Sequence, residues 1–233
     1  MKNIAIIPAR GTSKRLPRKN ILPILGRPML SYPLTAAFNC NLFDKIVVST
    51  EDEEIASIAL GLNAEVIMRP PELNQYHATV IDVCLHSIDY MNKREFVYDN
   101  FCCIYATALF VQPEDLIESY NILISPPKGD VVMGVSPFNA HPVLSLIEKK
   151  NGYLDRMWPE YLNKKPQAYP HLVASNGTIY WAKVSEFCKS KAFYCSKLKK
   201  YQMPKSRVVD IDTPDDYNIA KIFAKYYFFN ENN

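Results

Sequence analysis

An α/β fold with a mainly parallel sheet, covered by helices on both faces, is predicted for this chain by three observations. Short β-rich runs alternate with helical patterns through the first half, the first such run passes straight into a basic loop, and an amphipathic segment closes the sequence.

Ile4 to Ile7, Lys45 to Ser49, Glu65 to Met68, Phe101 to Tyr105 and Val131 to Val135 read as strands. Met29 to Asn39, Glu53 to Leu60, Thr79 to Met91 and Glu114 to Leu123 carry apolar residues at helical spacing, with Asp52 and Pro113 where caps or first turns belong. Pro126-Pro127-Lys128-Gly129-Asp130 is a turn into the fifth strand. The pattern weakens from about Asn139 to Asn176: Pro142 to Glu148 fits a strand, Asn151-Gly152 a turn, and Trp158 to Leu172 is rich in Tyr, Pro and Lys. This stretch reads as an insertion, a lid or a dimerisation arm, within one domain spanning residues 1–233. Thr178 to Ala182 then reads as a return strand, Arg207 to Ile211 as another, and Pro214 to Phe228 as a final helix. The expected architecture is a Rossmann-like three-layer α/β/α domain with a small arm.

Composition narrows the function classes. With 48% hydrophobic and 22% charged residues, the chain can bury a full core. Pro8 and Arg10 interrupt the apolar start, and no run approaches the roughly twenty residues of a membrane helix, so a cytoplasmic protein with no membrane insertion is expected. Six cysteines without a C-x-x-C pair read as buried reduced thiols, and four scattered histidines lack the spacing of a zinc site. Between Lys183 and Arg207 a run of basic residues opposes only Glu186 and reads as a solvated face.

Charge is polarised along the chain. Residues 1–43 hold seven Lys or Arg and no acid, whereas the remainder is mildly acidic. Five of the seven, Arg10, Lys14, Arg15, Arg18 and Lys19, lie in the loop from Pro8 to Asn20, where Gly11 and Ser13 let backbone N–H groups approach an anion. At the carboxyl end of a parallel strand such a loop suits a triphosphate. Its spacing matches neither G-x-x-x-x-G-K-[ST] nor G-x-G-x-x-G. So local a cluster suggests steering of a small anionic substrate, not nucleic-acid binding.

The second candidate site is Asp210-Ile211-Asp212. In an extended segment its two carboxylates share a face while Val209 and Ile211 pack inward, a geometry that suits Mg²⁺. Thr213, Pro214, Asp215 and Asp216 read as an N-cap and a first helical turn. A basic phosphate loop with a D-x-D metal site fits nucleotidyl or glycosyl transfer.

These residues resemble the cytidylyltransferases that activate nonulosonic acids, the sialic acid group, as CMP-sugars. The likeness rests on Pro8-Ala9-Arg10 with Ser13-Lys14 and Lys19-Asn20, on Val48-Ser49-Thr50, on Arg69-Pro70-Pro71-Glu72-Leu73, on Ser175-Asn176-Gly177-Thr178-Ile179-Tyr180 and on Asp210-Ile211-Asp212-Thr213. It implies that the loop, with Ala9, Arg10, Gly11, Ser13, Lys14 and Lys19, holds the CTP phosphates, that Asn20 and Arg69 lie near the nucleotide, and that Asp210 and Asp212 bind Mg²⁺. Arg10, Lys19, Asp210 and Asp212 are the expected catalytic residues. By analogy Tyr105, Thr107, His141 and Asn176 surround the acyl-sugar pocket, although Tyr105 fits a core position and His141 a turn equally well. The resemblance also implies a homodimer.

Two segments depart from the sialic acid pattern. Where Leu-Gln-Pro-Thr-Ser-Pro is common, this chain has Tyr105-Ala106-Thr107-Ala108-Leu109-Phe110, and Tyr76-His77-Ala78-Thr79 replaces an acidic residue followed by a small one. Both look more like the branch that takes pseudaminic acid, as does Val135 to Pro142. CMP transfer to pseudaminic acid is therefore expected. Legionaminic acid, N-acetylneuraminic acid or Kdo are the alternative acceptors, and a glycosyltransferase or a non-catalytic nucleotide binder the more distant ones.

Overall fold

The computed structural model describes residues 1–74 and 78–230. In chain order its elements are β1 (Asn3–Pro8), β2 (Pro23–Ile24), β3 (Arg27–Pro28), α1 (Ser31–Asn39), β4 (Lys45–Thr50), α2 (Glu53–Gly61), β5 (Glu65–Met68) and α3 (Val80–Asn92). There follow β6 (Asn100–Ile104), α4 (Pro113–Ile124), β7 (Val131–Pro137), β8 (Leu146–Glu148), β9 (Leu154–Arg156), β10 (Val173–Lys183), α5 (Val184–Ser190), β11 (Leu198–Gln202) and α6 (Pro214–Asn230).

Period-two alternation builds the two cores. Along β1, Ala5 and Ile7 face one hydrophobic cluster with Leu34 of α1, Ile55 of α2 and Leu116 of α4, whereas Ile4 and Ile6 face another with Cys84 and Ile88 of α3 and Phe187 of α5. Burial on both faces is why β1 and β6 read as nearly continuous apolar runs. A third cluster packs α6 through Ala220 and Ala224 against Ile24, Phe110 and Ile211.

The central sheet has seven strands in the order β11-β7-β10-β6-β1-β4-β5. Four of its pairings are parallel, and β10 runs antiparallel to both β6 and β7. The chain moves outward from β1 to β4 and β5 and then returns to β6 on the other side. Such a change of direction opens a crevice at the carboxyl edge, where ligands of α/β proteins bind.

Two readings change near the C-terminus. Arg207 to Ile211 is no strand: Lys205–Arg207 forms a 3₁₀ turn, and the sheet-edge strand is instead β11, inside the basic run. Tyr201 of β11 is buried, and Lys199 Nζ donates to the carbonyls of Ile122 and Ser125 at 3.1 and 3.2 Å, at the end of α4. Lys199 thus ties the sheet edge to α4, while Lys197 and Lys200 are exposed, as expected of a solvated face. In the weakly patterned stretch, β8 and β9 form a hairpin apart from the main sheet, and Pro142–Leu144 is a 3₁₀ turn.

Candidate active site

Three adjoining recesses lie along the carboxyl edge, and Lys19 lines all of them. The first, about 260 Å³, is bounded by Arg10, Asn20, Arg69, Thr79, Tyr105 and Thr107 among others. The second, about 690 Å³, is formed by residues 10–15 and 17–19 with Asn74 and Asp212. The third, about 510 Å³, brings Tyr105, Thr107, Ser136, Asn176, Tyr180, Asp210 and Asp212 around Lys19.

The loop after β1 is fixed by neighbours that the sequence reading did not assign to it. Gly11 N–H donates to Glu51 Oε1 at 2.7 Å, and Arg18 forms ion pairs with Asp52 and Glu54. Asp52 also caps α2 by accepting from Ile55 N–H at 3.0 Å. A Cβ on Gly11 would run into the Asp52 side chain, so any larger residue here would force Asp52 to shift. The Arg18 hydrogen bond holds the Asp52 carboxyl below its ordinary value. Glu51 and Asp52 follow β4, and their sequence signal was a helix-cap pattern, which says nothing about a loop forty residues earlier.

The five loop cations therefore divide. Arg18 is structural, whereas Lys19 Nζ donates to Asp212 Oδ1 at 2.8 Å and Arg15 pairs with the other Asp212 oxygen. Among the described residues no carboxylate pairs with Arg10, whose guanidinium borders the first and second recesses. Ser13 and Lys14 line the second recess as well. Ala9 does not face the recesses: it is buried, and its N–H donates to Ser49 O at 2.9 Å, continuing the β1 ladder.

Arg69 is sunk beneath the first recess. Its side chain is 5% exposed, donates to Ser49 O at 2.6 Å and to Ser49 Oγ at 3.0 Å, and lies 3.6 Å from Glu51. Burial works against its charge and Glu51 supports it. Asn20 is buried too, with Nδ2 donating to Arg10 O at 2.8 Å.

Opposite the loop, the strap of residues 203–213 presents the acid pair. Ile211 is buried in the third cluster, which turns Asp210 and Asp212 together toward the recess although the segment is not a strand. Burial, followed by the charge of Asp212, pushes the Asp210 carboxyl up. Burial opposes ionisation of Asp212 as well, but the Lys19 hydrogen bond and charge, with Arg15, outweigh it and hold that carboxyl low. Thr213 and Asp216 form reciprocal capping bonds at the start of α6, and Asp216 also accepts from Asp212 N–H at 3.1 Å.

The expected sugar-pocket residues are only partly gathered. Tyr105 and Thr107 line the first and third recesses, and Tyr105 N–H donates to Thr178 O at 2.9 Å. Asn176 Oδ1 accepts from Thr178 at 2.5 Å, whereas its Nδ2 is buried with no hydrogen-bond partner among the described residues. His141 belongs to the arm: its ring nitrogens engage Val143 N–H at 3.3 Å and Pro170 O at 2.9 Å, and it lines none of the three recesses. Ser136 and Tyr180 do line the third recess; both lie in stretches that carry the resemblance, but neither was named as a site residue. Tyr76 and His77 lie outside the described residues.

Among the described residues no helix is long and apolar enough to cross a membrane. The profile of the cytidylyltransferase family matches residues 4–222. Pseudaminic acid cytidylyltransferase of Campylobacter jejuni is 30% identical over 97% of both chains. N-acylneuraminate cytidylyltransferase of Streptococcus agalactiae is 33% identical over 97% of this chain, which spans 54% of that protein. The solved structure of CMP:2-keto-3-deoxy-manno-octonic acid synthetase complexed with CTP is similar in fold, with a TM-score of 0.70 and 17% identity over 97% of this chain and 99% of that one. Together with the Rossmann-like sheet and its carboxyl-edge cleft, these likenesses show that the chain belongs to the nonulosonic acid cytidylyltransferase family.

Proposed function

We propose that this enzyme transfers CMP from CTP to pseudaminic acid and releases pyrophosphate. The observation that supports it best is the continuity of the three recesses through Lys19. A nucleoside fits the first, beside buried Arg69 and Asn20, a triphosphate the second, and an acidic sugar the third. The reacting α-phosphate would then sit at Lys19, within reach of Asp212. A sugar hydroxyl oxygen bonds to the α-phosphorus as the bond from that phosphorus to the bridging oxygen breaks; pyrophosphate leaves with that electron pair, and the hydroxyl proton passes to solvent. Arg10, unpaired with any described acid, clamps phosphate through its planar fork, and Lys19 offsets the charge that grows on the leaving group.

Asp210 and Asp212 fit Mg²⁺: they are neighbouring carboxylates at the phosphate edge, and burial together with the charge of Asp212 raises the cost of ionising Asp210. When bound there, the ion neutralises phosphate charge and acidifies the attacking hydroxyl. Pseudaminic acid is favoured over the other acceptors by Tyr105 in the lining of the third recess and by a match that spans 97% of the Campylobacter jejuni enzyme, whereas the N-acylneuraminate enzyme at 33% identity is spanned to 54%.

The arm at residues 139–176 is proposed to pair two copies of the chain, because Leu144, Leu146, Ile147, Leu154, Met157 and Leu162 are all exposed there. A monomer in gel filtration would contradict this. A cytoplasmic location is proposed as well, supported by the proposed use of CTP.

The function is tested by measuring pyrophosphate release from CTP, UTP, GTP and ATP, each with and without pseudaminic acid. Release only with CTP and the acid together is expected. Cleavage of a sugar nucleotide without pyrophosphate would support glycosyl transfer instead, and CTP binding without turnover a sensor.

A further inference from the structure

The strap begins with Met203 N–H donating to Val135 O at 3.0 Å and Val208 N–H to Lys205 O at 3.3 Å, but the stretch 209–211 that leads into the acid pair has little backbone support of its own. Among the described residues Val209, Asp210 and Ile211 donate no backbone hydrogen bond, and beyond them the Asp216 carboxylate catches Asp212 and Thr213. On the near side the anchor is Arg207. Its guanidinium lies bidentate on Asp115, with Nη2 to Oδ1 at 2.7 Å and Nη1 on Oδ2, and Nη1 also donates to Phe110 O at 3.3 Å. Asp115 is 1% exposed and Arg207 12%. Two further donors saturate the carboxylate: Tyr201 OH at 2.6 Å and Gln112 N–H at 2.8 Å.

Phe110 lies in the loop of residues 105–112 between β6 and α4, which begins at Tyr105 and includes Thr107. Arg207 therefore touches the segment forming one wall of the third recess while standing three residues before Asp210, which forms the other wall. We infer that Arg207, oriented by buried Asp115, is a positioning residue that sets the spacing between these two walls, and with it the alignment of the acid pair against nucleotide and acceptor. The inference rests on the proposed reading of the third recess as the acceptor site. Neither residue borders the three recesses, so both act through the segments they hold.

The test compares Arg207→Lys, which keeps the charge but loses the bidentate fork, with wild type and with Asp115→Asn. Mn²⁺ binding is read by electron paramagnetic resonance in the presence of CTP and without acceptor; acceptor KM, CTP KM and Tm are measured alongside. Lys183→Met, which breaks an ion pair with Asp130 at 3.0 Å away from the cleft, controls for lost stability alone. In Arg207→Lys we expect Mn²⁺ affinity to fall about 10- to 100-fold, the usual range for residues that orient metal ligands. Acceptor KM should rise while CTP KM stays within about twofold, a change of less than 0.5 kcal/mol. Unchanged Mn²⁺ affinity and acceptor KM with a lower Tm would overturn the inference, as would an equal Mn²⁺ effect in Lys183→Met or no Mn²⁺ binding by wild type. Should Asp115→Asn not fold, Arg207→Lys still decides. Wild type that binds Mn²⁺ with CTP but converts none of the acids would refute the acceptor reading, while the Mn²⁺ comparison would still decide whether Arg207 anchors the strap.

Discussion

The basic loop of residues 9–20 and the acidic strap of residues 203–213 meet at the Lys19–Asp212 ion pair, yet they are held in place by different means. Contacts with the adjacent βα unit fix the loop: Ala9 N–H to Ser49, Gly11 N–H to Glu51, and Arg18 to Asp52. The strap is held by Met203, buried in the first cluster with its N–H on Val135 O, by one buried side-chain pair, Arg207 with Asp115 from 92 residues earlier, by Ile211 in the third cluster, and by a helix cap. Parallel topology alone brings a loop after β1 to the carboxyl edge. Bringing the strap there takes specific tertiary partners, so it is the more easily misplaced half of the site.

The largest effect is expected on the strap. Asp212→Asn removes the partner of Lys19 and half of the acid pair, and should lower kcat about 10²- to 10³-fold, the scale of losing one main electrostatic contributor. Turnover near wild type would show that the two regions do not meet at the reacting phosphate. On the loop side, Arg10→Lys should lower kcat/KM for CTP at least about tenfold, equivalent to about 1.4 kcal/mol. Full activity would count directly against the clamp.

Smaller effects probe how each region is held. Gly11→Ala would force a Cβ into Asp52 and should cost about 1–3 kcal/mol of stability, read as a lower Tm together with weaker CTP binding. Thr213→Ala should cost about 1 kcal/mol through the lost α6 cap, with a modest rise in the Mg²⁺ needed for half-maximal rate. The smallest effect concerns acid. Asp52 has a folded-state carboxyl pKa below its unfolded value near 3.8, so its contribution is complete above that value and is lost as pH falls through the lower folded one. Arg18→Met should therefore flatten the loss of stability below about pH 4, because Arg18 is the first cause of the shift. Denaturation curves for both proteins from pH 5 to 2 that stay parallel would contradict this.

The same contrast explains what was legible in the sequence. Alternation of β-rich runs and helical patterns gave the order of β1, β4, β5, β6 and β7, and the charge cluster located the phosphate loop, because both are local signals. Asp210 and Asp212 were found as a D-x-D pair, but the strand drawn through them was wrong: Arg207 turns into Asp115, and nothing in the local pattern of Arg207 to Ile211 reports a partner so far away. The lysines around Tyr201 concealed β11 for the opposite reason, since an edge strand carries charge on its open side. Glu51 was invisible because its neighbours spell a helix start. His141 matched by motif yet is held in the arm by Pro170 and Val143, which only the fold could show.

The decisive measurement is a set of parallel reactions of CTP and Mg²⁺ with pseudaminic, legionaminic, N-acetylneuraminic acid and Kdo, with the products identified by mass. CMP-pseudaminic acid and an equal amount of pyrophosphate are expected, with little product from the other three acids. Preferred conversion of another acid would contradict the acceptor assignment, and the absence of any CMP-sugar would contradict the joined nucleotide and acceptor site itself.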